Sequence, residues 1–127
     1  MPAYDTSRLD PPGPIALVTV RSPSSKASVT DVPLLMDTGA DVTILPAPLV
    51  GDLVIETGAL TSYELEGFDG NKSLAEAVEL ELVFLRKVFR GQFILLDQDC
   101  GVMGRNVLNS IRLLLDGPIL QWDEFRS

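Results

Sequence analysis

Asp37-Thr38-Gly39 lies between two apolar runs, Leu34-Leu35-Met36 and Val42-Thr43-Ile44-Leu45. An acid on a tight turn between two apolar strands is held rigidly and partly desolvated, a setting in which a carboxylate can serve as general acid or base. Gly39 lets the backbone approach closely and adopt conformations closed to other residues. Thr38 adds a hydroxyl able to bond backbone groups across an interface. Taken alone, these three residues also describe an ordinary Asp-Gly-type turn.

The rest of the composition narrows the chemistry. The chain has no histidine and one cysteine, Cys100. Ser-His-Asp and Cys-His machinery is therefore excluded within the chain, as are His-containing zinc sites and thiolate cages. No metal site is expected, and carboxylates become the natural source of acid and base. A lone cysteine cannot form an internal disulfide, which suits a reducing compartment and a cytoplasmic location. The net charge of −8 disfavours a nucleic-acid partner. Arg86, Lys87 and Arg90 form one small basic cluster, read as a solvated turn. No apolar run is long enough to cross a bilayer, and Met1 to Gly13 lacks the basic start and apolar centre of a signal peptide.

The elements that must position Asp37 are short strands. Residues 1–13 are polar and run into Pro11-Pro12-Gly13-Pro14, which predicts a flexible arm ahead of one folded domain over 14–127. Ile15–Val20 and about Ala27–Met36 read as strands, with Pro33 hinting at an edge or a bulge. Val42–Leu45 reads as a short strand stopped by Pro46 and Pro48. Tyr63–Phe84 reads as a hairpin tipped by Gly67-Phe68-Asp69-Gly70-Asn71. Its returning arm sets Val78, Leu80, Leu82 and Phe84 on one face, with Ala77, Glu79, Glu81 and Val83 on the other. Phe93–Leu96 is a further strand and Arg105–Ile111 a short helix. Leu113–Leu115 and Ile119–Trp122 form a hairpin around Asp116-Gly117-Pro118. The pattern is all-β with one short helix.

A second motif raises the specificity. Sixty-five residues after Asp37 comes Val102-Met103-Gly104-Arg105-Asn106-Val107-Leu108. A strand, Asp-Thr-Gly-Ala-Asp, a glycine-tipped hairpin, a strand, and two apolar residues before Gly-Arg-Asn and a helix together resemble the retropepsin-like aspartic proteases. The resemblance covers roughly Ile15 to Trp122, and the terminal hairpin is similar to the cellular, DNA-damage-inducible branch.

The resemblance implies a single-lobe acid-protease barrel with a flap hairpin. It implies an aspartic endopeptidase that needs no cofactor and works as a homodimer on an extended peptide or protein. Asp37, Thr38 and Gly39 would be the catalytic motif, with Thr38 making the reciprocal contact between two such loops. Asp41 would pair with Arg105 and help bind substrate backbone. Ala40, Gly67, Phe68, Asp69, Gly70, Cys100 and Val102 would meet substrate, while a buried inert thiol is the other reading of Cys100. Pepsin-type sites carry a hydroxyl after the glycine, so with Ala40 the carboxylate pair lacks one stabiliser of its charged form. Two alternatives stay open: a non-catalytic dimeric peptide-binding module on the same fold, and one lobe of a fused two-lobe protease, which the single Asp-Thr-Gly and the short length oppose.

Overall fold

A computed structural model describes residues 1–57, 60–66 and 70–126, with the side chains of 54–57, 60–64 and 73–74 outside the description. Nine strands and two helices succeed one another in chain order among the described residues: β1 (Ile15–Arg21), β2 (Ser28–Met36), β3 (Ile44–Pro46), α1 (Ala47–Thr57), β4 (Leu60–Glu66), β5 (Lys72–Phe84), β6 (Lys87–Leu96), β7 (Gly101–Met103), α2 (Arg105–Leu108), β8 (Leu113–Asp116) and β9 (Gln121–Glu124). The main sheet runs β1-β2-β7-β3-β6-β5-β4, and β1 also pairs with β5. Six strands therefore close into a barrel, and β4 hangs outside on the far part of β5. Closure leaves few open edges within the barrel.

Alternation explains the barrel's filling. Ala16, Val18 and Val20 of β1 turn inward while Leu17 is exposed. Along β5, Val78, Leu80, Leu82 and Phe84 are buried together, as the period of two predicts. They meet Val32 and Leu34 of β2, Phe93 and Leu95 of β6, and Met103 of β7 in one apolar cluster. Glu81, on the outer face of β5, is also buried, because Arg21 and Lys26 cover it at 2.7 and 3.1 Å. The irregularity hinted at by Pro33 lies between Val18 and Val20 of the β1–β2 ladder, where Asp31 takes a φ of 57°. Of the basic cluster read as a turn, Arg86 sits in the β5–β6 turn, Lys87 opens β6 and Arg90 lies within it, held by Glu124, the Ser110 carbonyl and Glu79 respectively.

Four expectations need correction. Among the described residues there are two short helices rather than one, because the chain turns straight from Pro46, the last residue of β3, into α1 with Pro48 in its first turn. A proline in the first helical turn loses no intrahelical bond there, and α1 then buries Val50 and Leu53, three residues apart. The helix after Gly104 is a single turn, α2, rather than Arg105–Ile111. In the terminal hairpin, Asp116 pairs with Gln121, so Ile119 and Leu120 belong to the turn and are exposed.

Finally, the amino-terminal segment is tied down along part of its length. Trp122 N–H donates to the Pro2 carbonyl (2.9 Å) and Tyr4 N–H to the Leu120 carbonyl (2.8 Å). Ala3 thus forms an isolated antiparallel bridge with Gln121, and the arm lies along the outer side of β9.

Candidate active site

The strand order places β7 between β2 and β3, although β2 leads directly into β3 through residues 37–43. The connecting loop must therefore arch over the end of β7. Parallel pairing of β2 with β7 sets Met36 beside Met103, and Asp37 N–H donates to the Met103 carbonyl at 3.0 Å. Asp37 thus stands at the mouth of a cradle whose walls are β2 and β3 and whose floor is β7.

The segment just after β7 locks the loop from below. Arg105 N–H donates to the Ala40 carbonyl at 2.8 Å, and the Arg105 Nη1 donates to the Thr38 carbonyl at 2.8 Å. A Cβ on Gly104 would run into the Val42 backbone, and one on Gly101 into the Ile44 carbonyl. Both glycines are needed for this close approach. Thr43, 1% exposed, is the hub beneath the loop. Its hydroxyl donates to Asn106 Oδ1 (2.7 Å) and accepts from Gly104 N–H (3.1 Å). In a buried setting such a fully satisfied network is rigid.

The Asp37 carboxylate is half-buried. Its Oδ1 accepts from Gly39 N–H at 2.8 Å, which fixes the side-chain rotamer, and among the described residues Oδ2 accepts no hydrogen bond. One oxygen orients the side chain; the other is left for a further partner. A carboxylate so held can bind a water or receive a proton, provided a second group handles the opposite charge change.

The structure distributes the remaining expected residues unevenly. Thr38, Gly39 and Asp41 are exposed and Ala40 half-buried on the same loop. The expected ion pair between Asp41 and Arg105 is not formed. Arg105 lies under the loop and spends its guanidinium on the Thr38 carbonyl, which leaves Asp41 on the open side. Val102 sits mid-β7, paired with Leu35 and Ile44. Cys100 precedes β7 at the end remote from Asp37, three residue steps or about 10 Å from Met103. Its Sγ donates to the Gly101 carbonyl at 3.5 Å, and partial burial pushes the thiol up from its ordinary range. Gly70 is exposed with a φ of 82°. Gly67, Phe68 and Asp69 lie outside the described residues. Thr43 and Asn106 are what sequence reasoning missed, although Asn106 stood inside the Gly-Arg-Asn motif.

Two other features lie away from this loop. A groove of about 580 Å³ runs between the arm and the barrel, lined by Tyr4, Arg8, Leu17, Phe84 and Trp122 among others, and no residue of the Asp37 loop lines it. Among the described residues no group of three His, Cys, Asp or Glu side chains could hold a metal ion. No helix among them is long and apolar enough to cross a membrane.

No protein-family model matches the chain, and no curated protein matches it by sequence. Solved structures do match. EIAV protease complexed with the inhibitor HBY-793 superposes with a TM-score of 0.55 at 18% identity, over 77% of this chain and 86% of that one. At that identity the likeness carries the fold: a mostly-β, aspartic-protease-like barrel with a retropepsin as structural neighbour.

Proposed function

We propose that the chain is an aspartic endopeptidase, active as a homodimer in which each subunit supplies Asp37. The observation that carries this reading is the Asp37 carboxylate itself, fixed through Oδ1 on a loop clamped by β7 and α2, with no hydrogen bond to Oδ2 among the described residues. Such anchoring is what a positioned acid–base group needs. An ordinary Asx-turn makes the same Oδ1 bond, and the bonds from Asp37 N–H to Met103 and from Arg105 to Thr38 and Ala40 go beyond one. The fold shared with EIAV protease supports the same reading.

One such carboxylate is half of a mechanism. Two held close cannot both ionise, so they share a proton. One Asp37 takes a proton from a bridging water, whose oxygen adds to the scissile carbonyl carbon. The other Asp37 gives its proton to the carbonyl oxygen, forming a neutral gem-diol. Collapse of the diol returns a proton to one carboxylate and delivers one to the departing amine. A two-fold axis places both copies over one extended peptide. Thr38 would link the two loops. Asp41, unpaired on the open side, would accept from peptide N–H groups. The β4–β5 hairpin would close over the substrate as a flap. The lone Cys100 fits a cytoplasmic setting.

The test is Asp37→Asn, which keeps shape and removes the titrating carboxylate. Cleavage of a mixed peptide library should disappear while folding and dimerisation persist. Cleavage at the wild-type rate by purified Asp37→Asn protein would defeat the assignment. A wild-type protein that binds peptides without cutting them would instead make this a binding module.

A further inference from the structure

The β8–β9 hairpin has one satisfied edge and one open edge. On β9 the far side is taken by the chain's own arm through Pro2 and Tyr4. On β8 no strand lies beyond Leu113–Asp116 among the described residues. Leu114 and Leu115 stand 45% and 51% exposed there. An open edge of this kind, short but carrying exposed leucines, is a template for another strand.

The hydrogen-bond phase says which groups the edge offers. Trp122 points its N–H at the arm, so its partner Leu115 turns its own N–H and C=O to the open side. By the two-residue period Leu113 does the same. Arg112 faces the other way, its carbonyl accepting from Phe125 N–H at 2.9 Å. The open edge therefore presents the backbone groups of Leu113 and Leu115, flanked by Arg112 and Asp116. Neither of these two charged residues has an ion-pair partner among the described residues.

We infer that β8 pairs antiparallel with β8 of a second copy, about a two-fold axis at Leu114, without exchange of strands. The segment Arg112-Leu113-Leu114-Leu115-Asp116 is self-complementary in this register alone. Leu114 meets Leu114 of the other copy. Leu113 and Leu115 face each other and exchange both backbone hydrogen bonds, twice per dimer. Arg112 falls opposite Asp116 at a non-hydrogen-bonded pair, where side chains come closest. Moving the axis to Leu115 sets Leu114 against Asp116 and Arg112 against Pro118. Moving it to Leu113 sets Arg112 against Leu114. Both shifts waste the charges on leucine or proline. The result is a continuous four-strand sheet, β9-β8-β8-β9, with an arm bridged to each outer β9 and staying with its own subunit.

This inference rests on the homodimer reading and adds its register. The experiment measures dimer dissociation constants by sedimentation for wild type, Arg112→Asp and Asp116→Arg. Each variant sets like charges opposite one another at both symmetric positions, and each should weaken its own homodimer by about tenfold or more. Mixed one to one, the two variants place Asp opposite Arg at both positions, so heterodimers should form with nearly wild-type affinity. Native mass spectrometry resolves them by mass. Rescue by mixing also shows that each variant is folded. Single variants that dimerise like wild type, or a mixture with no preference for heterodimers, overturn the register while the homodimer stands. Wild-type protein that remains monomeric at every concentration overturns both.

Discussion

The Asp37 loop and the β8–β9 hairpin are finished to different degrees. Every turn of the loop is closed from within the chain: Met103 accepts from Asp37, Arg105 reaches Thr38 and Ala40, and Thr43 ties Gly104 to Asn106. The hairpin lies outside the barrel, touches the core mainly through Trp122 and Leu113, and leaves Leu114, Leu115, Ile119 and Leu120 in water. The chain can therefore hold the Asp37 carboxylate in position alone, but it leaves apolar surface that asks for a partner. Rigidity belongs to the loop, and the proposed assembly to the hairpin.

Substitutions can separate the two. The largest expected effect is at Gly104, where the Val42 backbone leaves no space for a Cβ. Gly104→Ala should destabilise the monomer by about 3 kcal/mol, as overpacking against backbone does, and chemical denaturation would read it. A stability equal to wild type would mean the clamp is looser than described. Arg105→Ala comes next. Arg105 is exposed and bonded to a carbonyl rather than to Asp41. The loss should be about 1 kcal/mol, well short of the cost of breaking a buried ion pair, while the freed loop lowers peptide cleavage. A collapse of the fold would restore the Asp41–Arg105 pair as the true contact.

Leu114→Lys should leave the monomer's denaturation midpoint nearly unchanged, within about 0.5 kcal/mol, because the side chain is already solvated. Association should suffer instead, since the change sets two cations face to face on the axis. A large loss of monomer stability would show that the hairpin is structural rather than adhesive.

The smallest effect lies on the barrel wall, away from both regions. Hydrogen bonds from Arg21, then Lys26, hold the Glu81 carboxyl below its ordinary range. The stabilisation this brings is complete above the unfolded glutamate value of about 4.3 and fades as pH falls through the lower, folded value. A Glu81→Gln variant should thus show a flatter stability profile on its acid side than wild type. Parallel profiles would mean that the charge pairing contributes nothing.

Much of this architecture was legible in the residues. The alternation along β5 and the spacing from Asp-Thr-Gly to Gly-Arg-Asn foretold the barrel's main strands and the loop that meets α2. What escaped had no periodic signal. Thr43 reads as one more strand residue, yet its hydroxyl is the buried polar hub beneath the Asp37 loop. The helix α1 was hidden behind two prolines and a β-branched run that suit strands as well. Pro2 to Tyr4 joins β9 by backbone bonds alone, which composition does not encode. Asp41 and Arg105 have the charges for an ion pair, but Arg105 approaches the loop from the side of α2, where carbonyls are nearer.

The central claim is that catalysis requires Asp37 from two chains, and dilution tests it most directly. Peptide cleavage per chain should be measured from well above to well below the dimer dissociation constant, with sedimentation run on the same samples. Specific activity should fall in step with the dimer fraction and vanish in the monomer. Constant activity per chain in samples shown to be monomeric would contradict the shared pair of aspartates.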